Sequence, residues 1–118
     1  MTNAPEPASF EEVGPEEAAK LIEQGAYLLD VREPDEWAAG RAPAAHHLPL
    51  GELEARHSEV PADAVIVCVC RGGGRSGRAA GALTGAGHKA INLAGGMRAW
   101  EAAKLPVVID GGGAGSVI

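Results

Sequence analysis

Ala64-Val65-Ile66-Val67-Cys68-Val69 carries an apolar side chain at every position. Successive side chains of a strand point to opposite faces, so unbroken apolarity demands burial on both faces. A parallel sheet covered by helices meets that demand, whereas a half-solvated antiparallel sheet calls for alternation. The segments around this strand agree, because short apolar runs alternate with stretches of helical spacing, the pattern of an α/β domain.

The chain can be divided on that basis. Phe10 to Val13 reads as a short strand. Gly14-Pro15 then opens a helix over Glu16-Glu17-Ala18-Ala19-Lys20-Leu21-Ile22, which ends at Gly25. Tyr27 to Val31 is a buried strand, Pro34 to Ala39 a short helix stopped at Gly40, and His46 to Leu48 a brief strand. Pro49 and Gly51 open a polar helix through His57, and Pro61-Ala62-Asp63 turns the chain into the central strand. Ser76 to Ala86 is expected to be helical despite Gly77, Gly81 and Gly85, each costing about 1 kcal/mol against alanine. Ala90 to Leu93 is a further strand, and Gly95-Gly96 turns into a helix holding Met97 and Trp100. Residues 1–8 read as a flexible arm, 9–108 as the domain and 109–118 as a flexible glycine-rich tail.

At 118 residues the chain has room for one modest core, and with four aromatic residues that core must come from aliphatic side chains and alanine. Ten basic against sixteen acidic residues give a net charge of −6, which disfavours nucleic acid or an anionic membrane surface as a partner. No stretch is long and apolar enough to span a bilayer. The first residues have neither a basic region nor an apolar run, so no export signal is apparent and a reducing cytoplasm is expected. A monomer is expected.

The central strand runs into Cys70-Arg71-Gly72-Gly73-Gly74-Arg75-Ser76. A thiol between the end of a buried strand and the start of a helix meets free backbone N–H groups and the positive end of the helix dipole. That field favours thiolate, the reactive form of cysteine. Arg71, Arg75 and Arg78 make a local cationic patch on an acidic protein, which suits a small anion better than a polyanion. Arg71 is read as facing the mouth, and Ser76 as capping the following helix with its hydroxyl. Arg75 either reaches inward to an anion or pairs with a buried carboxylate. Cys68 lies two residues before Cys70, hence on the same face at about 6.6 Å, near the limit of disulfide geometry. It reads as a small buried hydrophobe, with a resolving thiol as the minority role.

Several motifs in order then resemble a single-domain rhodanese. They are Leu28-Leu29-Asp30-Val31-Arg32-Glu33-Pro34-Asp35-Glu36-Trp37, then Gly40 and Pro43, then Leu48-Pro49-Leu50, the Cys70 loop, and Leu93-Ala94-Gly95-Gly96-Met97 with Trp100. The resemblance spans roughly residues 9 to 107. It implies a central, mainly parallel five-stranded sheet flanked by helices on both faces, and a catalytic Cys70 that carries sulfur as a persulfide. Where such domains commonly show Gly-His-Ile-Pro-Gly-Ala, this chain has Gly40-Arg41-Ala42-Pro43-Ala44-Ala45, a departure that bears on substrate preference.

The resulting expectation is a sulfurtransferase that needs no metal or organic cofactor. Cys70 is the nucleophile. Arg71, Gly72, Gly73, Gly74, Arg75 and Ser76 bind substrate, and Asp30 and Arg32 support the fold beside the site. Its partners would be a small anionic sulfur donor such as thiosulfate and a thiol or cyanide acceptor, or a protein that accepts sulfur. The alternative within the family is a persulfide carrier or regulatory binding module that works with a protein partner.

Three other readings are weaker. Cysteine phosphatases place five residues between the cysteine and the arginine so that the loop wraps a phosphate, whereas four separate Cys70 from Arg75. Gly72, Gly74 and Gly77 formally fit a dinucleotide fingerprint, but no acidic residue stands at the required distance and too little chain follows. His46, His47, His57 and His88 have no spacing that builds a zinc site with the cysteines.

Overall fold

The structure, a computed structural model, describes residues 10–118; the arm expected at 1–8 lies outside the described residues. The elements run β1 (Glu11–Val13), α1 (Pro15–Glu23), β2 (Tyr27–Asp30), α2 (Pro34–Ala39), β3 (His46–His47), α3 (Leu53–Arg56), β4 (Val65–Val69), α4 (Gly74–Gly85), β5 (Lys89–Leu93) and α5 (Gly96–Ala102). The polar helix expected from Pro49 to His57 is broken, with 3-10 turns at Leu50–Glu52 and His57–Glu59 on either side of α3. Arg56 ties the segment together by donating to Glu52 at 2.6 Å and to Glu59 at 2.7 Å.

All strand pairs are parallel, in the order β1-β5-β4-β2-β3, so β4 occupies the middle of a five-stranded sheet. Its unbroken apolarity is explained by two separate cores. Ile66 and Cys68, with Cys70 just beyond the strand, pack with Leu29, Leu53, Ala79, Ala80 and Leu83 on one face. Val67 and Val69 pack with Ala18, Leu28, Leu93, Met97 and Trp100 on the other. Helices α3 and α4 thus cover one face, α1 and α5 the other. Ala79 and Ala80 are fully buried, so α4 lies close to the sheet and brings its N-terminal turn against the end of β4.

Beside the carboxyl ends of the strands, Asp30 and Arg32 are both 0% exposed. Arg32 Nε donates to the two Asp30 carboxylate oxygens at 2.9 and 3.0 Å, and Nη2 donates to Asp30 Oδ2 at 2.7 Å. Nη2 also donates to the Gly40 carbonyl at 2.8 Å and Nη1 to the Glu36 carbonyl at 3.3 Å. The pair therefore pins the C-terminal end of α2 to the end of β2.

Composition marks 109–118 as a flexible tail, and here the structure differs. Val108 and Arg41 exchange backbone hydrogen bonds at 2.8 and 3.0 Å, Gly115 N donates to Val107 O at 2.8 Å, and Ser116 N donates to Ala39 O at 2.8 Å. Val117 packs against the core cluster that includes Trp100, and the Arg41 side chain binds Asp110 and lies 4.6 Å over the Trp37 ring. Backbone pairing and one partly buried valine hold a segment whose glycines, taken alone, suggest freedom. The Arg41 departure in the sequence thus stands at the place where this tail docks.

Candidate active site

Cys70 follows β4 directly, and the loop after it reverses within three residues to start α4 at Gly74. The turn depends on Gly73, whose φ of 110° lies in the region that side chains with a Cβ avoid. This conformation aims the Gly73 N–H at Cys70 Sγ, 3.0 Å away, and the Ser76 hydroxyl approaches the same sulfur at 3.2 Å. Burial pushes the Cys70 thiol up, but hydrogen bonds from the Ser76 hydroxyl and from the Ser76, Gly73 and Gly72 amides outweigh it, and the net shift is downward. Cys68, fully buried on the same face, has no such donors, and burial pushes its thiol up to about 12. Both cysteines are free.

Ser76 does not cap the helix, contrary to the sequence expectation. The helix begins two residues before Ser76, Gly73 is the N-cap residue, and Ser76 sits inside the first turn. Its hydroxyl is turned to the sulfur and to Asn92 Oδ1, the latter at 2.6 Å.

The loop is held from behind by α5. Met97 N donates to the Cys70 carbonyl at 2.7 Å and Arg98 N to the Arg71 carbonyl at 3.1 Å. This approach requires Gly96, with φ of 61°, because a Cβ there would lie 2.4 Å from the Cys70 carbonyl oxygen. Gly96→Ala is therefore expected to cost at least about 2 kcal/mol, from positive φ and a clash with backbone that cannot move aside. A fall in the thermal midpoint together with slower alkylation of Cys70 would show it.

The arginines of the loop divide. Arg71 is exposed, and its Nε donates to the Ile118 carbonyl at 2.9 Å. Arg75 makes a bidentate ion pair with Glu36 of α2, at 2.6 and 2.9 Å. Of the two sequence readings of Arg75, the carboxylate pairing is the contact present. The Arg75 hydrogen bonds hold the Glu36 carboxyl down at about 2. A depressed carboxyl contributes stability that is fully present above its unfolded value and is lost as pH falls through the folded one. Between pH 5 and pH 2, Glu36→Gln should therefore lose less stability than the parent protein, a difference that thermal melts across that range would read.

The structure therefore gathers Cys70, the Gly72 and Gly73 amides, Ser76 and, at the rim, Arg71 and Arg75, while Asp30 and Arg32 are buried at the end of the adjacent strand β2. Sequence reasoning missed Glu36, Asn92 and Glu12. Asn92 Nδ2 donates to Glu12 Oε2 at 2.7 Å and to the Gly73 carbonyl at 3.1 Å, so the amide touches the loop from β5. The available signal was one asparagine in the otherwise apolar run Ala90-Ile91-Asn92-Leu93.

No helix among the described residues is long and apolar enough to cross a membrane. The rhodanese-like domain family matches residues 14–103. A sulfurtransferase of Allochromatium vinosum is 41% identical over 86 residues, covering 72% of this chain and 80% of that protein. A rhodanese-related protein of Thermoplasma volcanium superposes with a TM-score of 0.81 at 26% identity, covering 86% of this chain and 100% of its own. The reduced CoADR-RHD of Bacillus anthracis is 37% identical with a TM-score of 0.74, covering 77% of this chain, which spans 16% of that longer one. The chain belongs to the rhodanese-like domain family, whose relatives here include proteins named sulfurtransferases.

Proposed function

We propose that this domain moves sulfane sulfur from a small anionic donor such as thiosulfate to cyanide or a thiol, by way of a persulfide on Cys70. The observation that carries the reading is the convergence of the Gly73 amide and the Ser76 hydroxyl on the Cys70 sulfur. Donors placed there favour a thiolate at the end of a buried strand.

In the first step the Cys70 thiolate attacks the outer sulfur of thiosulfate. A new S–S bond forms, the donor S–S bond breaks, and sulfite leaves with the bonding electron pair. The loop amides and Arg71 balance the negative charge that gathers at the mouth. In the second step cyanide or a thiolate attacks the outer sulfur of the persulfide, and Cys70 departs as thiolate, restored for another turn.

The alternative is a carrier whose sulfur passes to a protein partner. It is favoured by the commitment of Arg75 to Glu36, which leaves for a free anion exposed Arg71, itself held at Nε by the Ile118 carbonyl. The intact mass of the reduced protein after brief incubation with thiosulfate tests the loading step, and the acceptor is then read by whether cyanide or a thiol removes the added sulfur. Gain of one sulfur atom supports direct use of the anion. Absence of a gain, with Cys70 still alkylated rapidly at neutral pH, points to another sulfur donor, a protein partner or a binding role.

A further inference from the structure

Behind the Cys70 loop a chain of polar groups crosses the sheet. Asn92, in β5, is 2% exposed, and its amide orientation is fixed by its neighbours. Its Nδ2 faces Glu12 Oε2 at 2.7 Å and the Gly73 carbonyl at 3.1 Å, both acceptors, so a flipped amide would set oxygen against oxygen twice. Asn92 Oδ1 must therefore face Ser76 Oγ, at 2.6 Å. The Ser76 hydroxyl has one proton and three acceptors within reach: Asn92 Oδ1, Cys70 Sγ at 3.2 Å and the Gly73 carbonyl at 3.3 Å. A Cys70 thiol can itself donate to Ser76 Oγ while the serine proton stays on Asn92. A thiolate needs that proton turned toward sulfur, which leaves two oxygen lone-pair regions opposed across the Ser76–Asn92 contact.

We propose that Asn92 is a positioning residue for Cys70: clamped by Glu12 and the Gly73 carbonyl, it competes for the single Ser76 hydroxyl proton and so restrains ionisation of the nucleophile. The inference rests on the reading of Cys70 as the sulfur-carrying nucleophile and adds a control on its basicity. Such restraint has chemical value, because an attacking thiol loses intrinsic nucleophilicity as its basicity falls, and the best compromise lies near ambient pH. When the persulfide forms, Cys70 Sγ becomes a neutral bridging sulfur, and the Ser76 proton is free to return to Asn92. When sulfur leaves, the proton turns back to stabilise the departing thiolate. Asn92 thus works through Ser76 and touches no substrate.

Other groups also face Cys70. Cys68 lies on β4, Arg75 extends from α4 with its Glu36 partner from α2, and Glu12 of β1 acts through Asn92. The test must therefore isolate the serine proton. The rate of Cys70 alkylation by iodoacetamide, followed by peptide mass across pH in the absence of any sulfur donor, reads thiolate formation directly. Asn92→Ala is expected to shift the pH profile downward and raise the rate on its acidic limb about three- to five-fold, the scale of one hydrogen bond to a charged group shared between two acceptors. Asn92→Val, which keeps a strand-favouring side chain in the buried site, should act in the same direction. In a Ser76→Ala background both effects should vanish, a dependence that a general loosening of the loop would not show. An unchanged or upward-shifted profile, or the same shift with and without Ser76, overturns the proposal.

The unsubstituted protein provides a second measurement. The Asn92 side-chain amide resonances should titrate with the same midpoint as Cys70 alkylation, and resonances that stay fixed through that midpoint also overturn it. Failure to gain sulfur from thiosulfate would count against the donor assignment and leave the alkylation result standing.

Discussion

Cys70→Ser is expected to abolish sulfur gain from thiosulfate and lower turnover at least about a thousand-fold, the scale on which loss of a nucleophile registers. A serine hydroxyl does not ionise near neutral pH, and the donors around position 70 cannot close that gap. Cys68→Ser should retain most of the activity. Cys68 lies on the same core face as Cys70 and both are buried, but Cys68 lacks the donors that serve Cys70, and burial pushes its thiol up to about 12. A thiol raised this far by burial stays protonated at neutral pH. Serine at position 68 introduces a hydroxyl into an apolar core, so the variant should lose stability while its folded fraction still takes up sulfur. Intact mass spectrometry of both variants decides the matter. Sulfur gain that survives Cys70→Ser and is lost in Cys68→Ser would reverse the assignment.

The second large effect concerns stability. Asp30→Ala is expected to cost about 3–5 kcal/mol, because it leaves the Arg32 guanidinium buried without its counter-charge. Both residues are fully buried, so the guanidinium is shielded from bulk solvent. A joint replacement by apolar residues of similar volume, Asp30→Leu with Arg32→Met, should cost less than Asp30→Ala alone. Removing both charges also removes the need to solvate them. The residual cost of the double variant would reflect the Glu36 and Gly40 carbonyls, which lose their Arg32 donors. Urea unfolding midpoints of the two variants test this order. A double variant less stable than Asp30→Ala would show that the arginine bridge to α2 outweighs the buried charge.

These two sites also explain why Glu36 matters beyond its own ion pair. Arg32 fixes the end of α2 through the Glu36 carbonyl, and the Glu36 side chain in turn holds Arg75 at the rim of the loop. The Asp30 and Arg32 pair thereby reaches the candidate site through backbone and side chain of a single residue, without contacting Cys70.

Much of this arrangement is legible in the linear chain. An uninterrupted apolar strand required two cores, and Ile66 and Cys68 indeed face one while Val67 and Val69 face the other. Glycines after a cysteine at a strand end required a tight turn into a helix, and that turn creates the cradle. Such features are local: they depend on side-chain alternation, on helix starts and on the φ freedom of glycine, all encoded within a few residues. The direction of the Ser76 hydroxyl is not of that kind, because a capping role and a sulfur-binding role share the same sequence. Asn92 stands 16 residues from Ser76, and Glu36 stands 39 from Arg75. The tail gave the same difficulty, since its glycines describe what the backbone is free to do and not which partners it finds. Periodicity and backbone freedom were enough to specify the layered α/β fold and the cysteine loop. The partners of the loop arginine, the serine hydroxyl and the tail emerge with folding, because hydrogen-bond partners across a sheet are set by register and packing rather than by spacing along the chain.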